Sequence, residues 1–226
     1  MQRRKRLLVV ANRFYPQVGG AELVTWFQTV ELGKHLDVDV ITPVRDRNPR
    51  RETVEGIRIL RAYNLRNPWN RSPYLDAFTL CPGVASRILT GTYDLVHCFP
   101  AINRNNRLAV AAARLRGTPV FLTSYDAFDY SAVVNREGFE PGDLDRLAFS
   151  ESAKRQFERF SAIFTISERE TRLLKAVNPN TFLSTVPVRL DEFDPPPDIA
   201  GFRKKLNIPE GVRIVLSLSR VSHIKG

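Results

Sequence analysis

Two adjacent glycines, Gly19-Gly20, stand between an apolar run and the start of an amphipathic segment, and that placement suits them to hold an anion. The run Leu7-Leu8-Val9-Val10-Ala11 has the length of a buried strand. Leu23, Trp26, Phe27 and Val30 then recur at i, i+3, i+4 and i+7, as on one face of a helix. A helix that begins at two glycines offers unpaired backbone N–H groups and the positive end of its dipole, with no side chain in the way. A phosphate group fits such a place, and a plain tight turn explains the dipeptide equally. The spacing is neither GxGxxG nor GxxxxGK[ST], so the common dinucleotide and P-loop fingerprints are absent.

Histidine and cysteine offer less. His97 sits inside the apolar run Asp94-Leu95-Val96-His97-Cys98-Phe99 and reads as a packed, hydrogen-bonded core residue. Cys81 and Cys98 are too few for a disulfide framework and lack metal-ligand spacing, which points to a reduced, cytoplasmic setting.

The elements that must position these residues alternate in type along the chain. Strand patterns are expected at 37–42, 56–62 (with the alternation of a half-exposed strand), 94–99, 118–123, 162–166 and within 181–190. Helices are expected from about Tyr74 to Leu89, around Leu108, Ala111, Ala112 and Leu115, from Asp143 to about Phe160, and after Ser167, where Glu170 completes a capping box. Residues 127–141 have no clear period and read as a loop over the site. The order strand, helix, strand with short connections predicts an α/β fold: a mainly parallel, Rossmann-like sheet with helices on both faces. Ligands of such sheets collect beyond the carboxyl ends of the strands.

Composition narrows the partners. The chain has 226 residues, 43% of them hydrophobic, including 14 Phe, enough for a sizeable core. Its net charge of +10 calls for an anionic partner: nucleic acid, an anionic membrane or a phosphorylated small molecule. The apolar run after Arg3-Arg4-Lys5-Arg6 is too short for a signal peptide, and no stretch reaches the 18 or so residues of a spanning helix.

Taken whole, Phe14-Tyr15-Pro16-Gln17-Val18-Gly19-Gly20-Ala21-Glu22 resembles the "FYPxxGGxE" loop of the family 4 retaining, nucleotide-sugar-dependent glycosyltransferases, which have the GT-B fold. Further motifs follow in the family's order. Asp94 to Phe99 is similar to "DxxHxH", with Phe99 for the second His. Thr123-Ser124-Tyr125-Asp126 is similar to "TxHD", with Tyr125 in the histidine position and Asp126 kept. Pro187, Asp191, Phe193 and Pro195 fit the interdomain hinge, with Val188-Arg189 where Asn-Gly is usual. Ser219-Arg220-Val221-Ser222-His223-Ile224-Lys225-Gly226 resembles "GRLxxxKG", whose Arg and Lys grip the donor diphosphate.

By that resemblance Gly19, Gly20, Arg220 and Lys225 are expected to bind the donor's phosphates, and Tyr125 and Asp126 to stand at the reacting sugar. Tyrosine can hydrogen-bond a sugar hydroxyl, but a phenol with a pKa of about 10 does not share a histidine's proton chemistry near neutral pH. Equally, Tyr125 is a loop residue packing its ring. The resemblance implies residues 1–190 as an acceptor-side domain, 191–198 as a linker, and 199–226 as the first helix and a strand at Arg213 to Leu218 of a truncated second domain.

The implied activity is hexosyl transfer from a nucleotide diphosphate sugar to a sugar or lipid-linked hydroxyl acceptor, needing no metal or cofactor, with the 226-residue chain inactive alone. A cytoplasmic enzyme is expected, with the basic residues Arg3, Arg4, Lys5, Arg45, Arg47, Arg50 and Arg51 touching the anionic inner membrane face. A GT-B nucleotide-sugar epimerase is one alternative. A nucleic-acid-binding module is another, although no helix-turn-helix, RNP-like pair or zinc spacing supports it.

Overall fold

A computed structural model describes residues 3–16, 19–44, 48–65, 80–100, 103–125, 151–187, 194 and 198–215. In chain order the first elements are β1 (Arg6–Ala11), α1 (Gly20–Gly33), β2 (Asp37–Pro43), β3 (Arg51–Val54), β4 (Ile57–Ala62), α2 (Gly83–Thr90) and β5 (Leu95–Phe99). Then come α3 (Arg104–Arg116), β6 (Val120–Ser124), α4 (Glu151–Phe157), β7 (Ala162–Thr165), α5 (Glu168–Lys175), β8 (Thr181–Leu183) and α6 (Ile199–Lys205).

The strands form one sheet in the order β3-β4-β2-β1-β5-β6-β7-β8. Every neighbouring pair is parallel except β3 and β4. That antiparallel edge hairpin was not anticipated. Its turn, Glu55-Gly56, takes positive φ at both residues (48° and 78°), the geometry of a tight hairpin.

β1 lies inside the sheet and its side chains alternate between two cores. Leu8 and Val10 join Val96, Cys98, Ala109, Val110, Phe157 and Leu174 on the face covered by α2, α3, α4 and α5. Leu7, Val9 and Ala11 join Phe14, Trp26, Ile57, Ile59 and Phe99 on the face covered by α1. Helices therefore lie on both faces, as the alternation of patterns required. The chain leaves β1 through α1 toward β2 on one side and leaves β5 through α3 toward β6 on the other. The strand order reverses between β1 and β5, and their carboxyl ends open a crevice there.

Several boundaries and faces differ from expectation. The helix expected from Tyr74 begins, in its described part, only at Gly83, because Leu80 pairs with Leu65 as an isolated bridge and Pro82 is the N-cap. Proline suits a helix start, having no N–H to leave unpaired. Gly83 is required by packing: a Cβ there would come within 2.8 Å of the Cβ of Ala62. α3 turns Asn105, Asn106, Ala109, Val110, Ala112 and Ala113 inward, leaving Ala111 exposed and Leu115 80% exposed. Its small side chains permit close approach to the sheet, so alanines rather than leucines mark the buried stripe.

In α1 the buried residues are Thr25, Trp26 and Thr29, Phe27 and Val30 are half-buried, and Leu23 is exposed. Arg213–Val215, expected to open a strand, make none among the described residues, where no neighbouring strand stands to pair with them. α6, capped by Asp198 through Gly201 N (2.8 Å), buries no residue. Most of the proposed linker, the loop at 127–141 and residues 143–150 of the expected helix lie outside the described residues.

Candidate functional site

The glycine loop sits at the carboxyl end of β1, at the mouth of the crevice. Gly19 is the N-cap of α1, with extended backbone and no side-chain cap. Gly20 opens the helix and faces open space, with nothing within 4 Å of where a Cβ would stand. At Gly19 a Cβ would meet the Glu22 carboxylate, so an acidic side chain already lies against the positive end of this helix.

The approach to the loop is held by packing and by one buried cation. Trp26 takes Phe14 edge-on at 5.6 Å and Tyr15 stacked at 5.0 Å. Arg61 of β4 donates to the carbonyl of Tyr15 (2.7 Å), to the carbonyl of Pro49 (2.8 Å) and to Glu52. Arg61 lies in a strand whose sequence pattern predicts half-exposure, yet the residue is buried. The signal was present: Arg61 falls in the same alternation phase as Ile57 and Ile59, so its side chain enters the core on the α1 side and needs partners there.

Tyr125 follows β6 directly. Its ring packs 6.1 Å from Phe99, and its hydroxyl donates to Gln28 Oε1 (3.1 Å) and contacts Thr25 Oγ1 (3.3 Å). Burial pushes its phenol well above the ordinary tyrosine value. In this arrangement Tyr125 ties the end of β6 to the first turns of α1. Next to it, Ser124 donates to the buried Glu170, whose N–H in turn caps onto Ser167 Oγ at 3.2 Å. The expected Ser167 cap is therefore present, and its glutamate also reaches the strand end.

His97 is hydrogen-bonded, as expected, but half-buried and not a member of either core. It shares a hydrogen bond with Thr123 Oγ1 (2.8 Å) and is surrounded by Phe99, Phe121 and Phe164. Burial drives its pKa down to about 3, so the ring is neutral at ordinary pH.

Buried asparagines at the start of α3 are unforeseen from the sequence. Asn103 is the N-cap of α3, its Oδ1 accepting from Asn105 N at 2.8 Å. Asn105 Oδ1 accepts from Cys81 N at 2.7 Å, and Asn106 Nδ2 donates to the carbonyl of Pro100 at 2.7 Å. Asn12, one residue past β1, is buried as well. Among the described residues, Asn12 Oδ1, Asn103 Nδ2 and Asn105 Nδ2 are buried without a hydrogen-bond partner.

The structure brings Gly19, Gly20 and Tyr125 to one end of the sheet. Asp126, Arg220 and Lys225 lie outside the described residues, as do Arg45 and Arg47. The basic residues expected to make one surface are split. Arg3, Arg4 and Lys5 precede β1 at the amino edge, where Arg3 pairs with Asp94 at 2.9 Å. Arg50 and Arg51 lie at the carboxyl edge, Arg51 opposite Leu60 and Arg50 over the Tyr63 ring at 4.6 Å. Among the described residues no cluster of His, Cys, Asp or Glu could hold a metal ion, and no helix is long and apolar enough to cross a membrane.

A mainly parallel sheet of this order, with helices on both faces and a crevice where the order reverses, is a Rossmann-like domain. The chain belongs to the glycosyl transferase 4-like domain family, whose pattern it matches over residues 19–188. Among solved structures it resembles sucrose-phosphate synthase from Thermosynechococcus elongatus, with TM-score 0.58 and 17% identity over 91% of this chain and 53% of that one. Starch Synthase IV from Arabidopsis thaliana, its catalytic domain bound to ADP and acarbose, gives TM-score 0.59 and 12% identity over 93% and 61%. Anabaena HepE in complex with UDP-glucose gives 0.57 and 15% over 89% and 50%. The chain thus spans between half and about three-fifths of these structures. No curated protein matches it in sequence.

Proposed function

We propose that this chain supplies the acceptor-side half of a retaining glycosyltransferase, which moves a hexosyl group from a nucleotide diphosphate sugar to a hydroxyl acceptor. One observation carries the reading: within a domain of this family, the open N-terminus of α1 stands at the crevice with Gly20 facing free space. The nucleotide ligands named with HepE and starch synthase IV support the donor class.

In this reading the chain's own residues orient and neutralise. The first N–H groups of α1 receive a donor phosphate oxygen, displacing the Glu22 carboxylate that lies there. Arg61, through the Tyr15 carbonyl, and Tyr125, through Gln28 and Thr25, fix the helix that presents those groups. Arg220 and Lys225 add charge on the diphosphate, a bidentate fork and a mobile point charge, and Asp126 stands beside the transferred sugar. The charges that develop are met by these groups with no cofactor or metal invoked. Arg50 and Arg51, at the same end of the sheet, offer contact to anionic lipid headgroups for a cytoplasmic enzyme with a lipid-linked acceptor.

The test compares the 226-residue chain alone with the same chain joined to a GT-B C-terminal domain, assaying sugar release from UDP- and ADP-glucose with acceptor. Orientation and charge stabilisation both need a closed cleft, so turnover is expected only in the joined protein. Ordinary turnover by the 226-residue chain alone, or none by the joined protein with any donor, overturns the reading.

A further inference from the structure

Away from the crevice, α2 and α3 pack along each other on one face of the sheet. α2 carries Arg87 and α3 carries Arg104, Arg107, Arg114 and Arg116, and neither helix has an aspartate or a glutamate. Their C-terminal ends meet, because Arg116 Nη1 donates to the carbonyl of Leu89 at 3.0 Å. α2 leads into the start of β5 and α3 into the start of β6, so this corner stands at the end of the sheet opposite the crevice. Two large apolar side chains face water there, Leu89 at 41% and Leu115 at 80% exposure. Beside Leu115, Arg114 and Arg116 are exposed, and neither makes an ion pair among the described residues.

A basic residue in the last turn of a helix is ordinarily explained by the helix dipole and the free carbonyls there. Arg116 fits that account, since it bonds the end of α2. Arg114 has no such bond among the described residues, and the dipole gives no reason to hold leucines in water. Apolar side chains set among arginines are the composition of a protein contact, in which Arg is enriched.

The class of partner depends on what each candidate can bring. A nucleic-acid backbone brings phosphates but nothing apolar to cover a leucine, and neither helix carries an aromatic ring on which a base could stack. A bilayer accepts leucine, but a helix lying in it needs a broad apolar face, and the apolar stripe of α3 at Ala109, Val110, Ala112 and Ala113 is turned into the core. An acidic polypeptide brings both, with carboxylates that match the guanidinium fork and apolar side chains between them. We propose that the C-terminal ends of α2 and α3 form a docking surface for an acidic segment of a partner protein. Leu89 and Leu115 take its apolar side chains, and Arg114 and Arg116 its carboxylates. A partner seated there leaves the crevice open.

The experiment is fluorescence anisotropy on the 226-residue chain with a labelled peptide in which Leu recurs at i, i+3, i+4 and i+7 and Glu fills the other positions. Two control peptides replace every Glu by Gln or every Leu by Ala. The Leu and Glu peptide is expected to bind more tightly than either control. Arg114→Glu should weaken it about tenfold and Leu115→Ser about fivefold. Both replace exposed side chains, so the melting temperature should be preserved. Lys205→Glu on α6 makes the same change of charge as Arg114→Glu at another exposed position and should leave the affinity within about twofold. Equal binding of the three peptides, affinity unchanged in the Arg114 and Leu115 variants, or an equal loss with Lys205→Glu overturns the proposal. So does binding to anionic vesicles or duplex DNA that Arg114→Glu abolishes while the peptide fails to bind, since the corner would then serve a membrane or a nucleic acid.

Discussion

Two groups of buried polar residues in this fold, the one around Asp39 and the asparagines near the start of α3, are paired to different extents. At the amino end, Asp39 of β2 is buried and its hydrogen-bonding capacity is heavily used. Arg58 Nε donates at 2.5 Å, Tyr93 Oη at 2.6 Å and Arg87 Nη2 at 3.1 Å, with Arg6 Nη2 at 3.4 Å. Burial by itself would raise this carboxyl's pKa, but the donors from Tyr93, Arg58 and Arg87 outweigh it and hold Asp39 below the usual carboxylate value. Tyr93, buried and bonded to the same carboxylate, is pushed up to about 12. At the carboxyl end, Asn12, Asn103 and Asn105 are neutral and incompletely paired, and the N-terminus of α1 carries no side-chain cap. Charge compensated from within fastens the fold, whereas these asparagine amides leave hydrogen-bonding capacity unused among the described residues.

Acid gives the strongest test of that contrast. His97 has a folded pKa of about 3 against an unfolded value of about 6.5, so its neutral-state stabilisation is present above pH about 6.5 and is lost as pH falls toward 3. Asp39, also depressed, adds a loss at lower pH, below the unfolded carboxylate value of about 4. Urea midpoints across pH 7 to 3 should fall in two stages, and His97→Gln should flatten the upper one. A wild-type midpoint constant down to pH about 4 contradicts the burial of a neutral imidazole.

Asp39→Ala comes next in size. It leaves Tyr93 and Arg87 without their acceptor and should cost about 3 kcal/mol, the low end for a broken buried pair because Arg58 and Arg87 keep access to water. Chemical denaturation measures it. A loss under about 1 kcal/mol would mean that the amino end is no fastening at all.

The smallest effect concerns lipid. Arg51→Glu should reduce sedimentation with anionic vesicles at low salt, and Lys5→Glu, at the other end of the sheet, should not, with about 1 kcal/mol expected per well-placed basic residue. Equal loss in both variants, or equal binding to neutral vesicles, removes the idea of a membrane-facing carboxyl edge.

How much was legible varies with the range of the interaction. The alternation of strands and helices was read correctly for β1, β2, β4, β5, β6, β7 and α1, since hydrophobic period is carried by neighbours in sequence. The Ser167 cap was legible for the same reason: Glu170 is only three residues away. The buried face of α3 was not, because Leu115 outranks Ala109 and Ala113 in hydrophobicity, yet the alanines are buried and Leu115 is exposed.

Sequence alone, through local periodicity and the spacing of glycines after an apolar run, determined the α/β class and the place of the glycine loop between β1 and α1. Only the tertiary structure decided that Arg61 would hold Tyr15, that Tyr125 would reach Gln28, and that Asn105 would accept from Cys81. Those relations join residues far apart in the chain. Parallel pairing of β1 with β5 brings their carboxyl ends together, and no local pattern in either segment encodes the other.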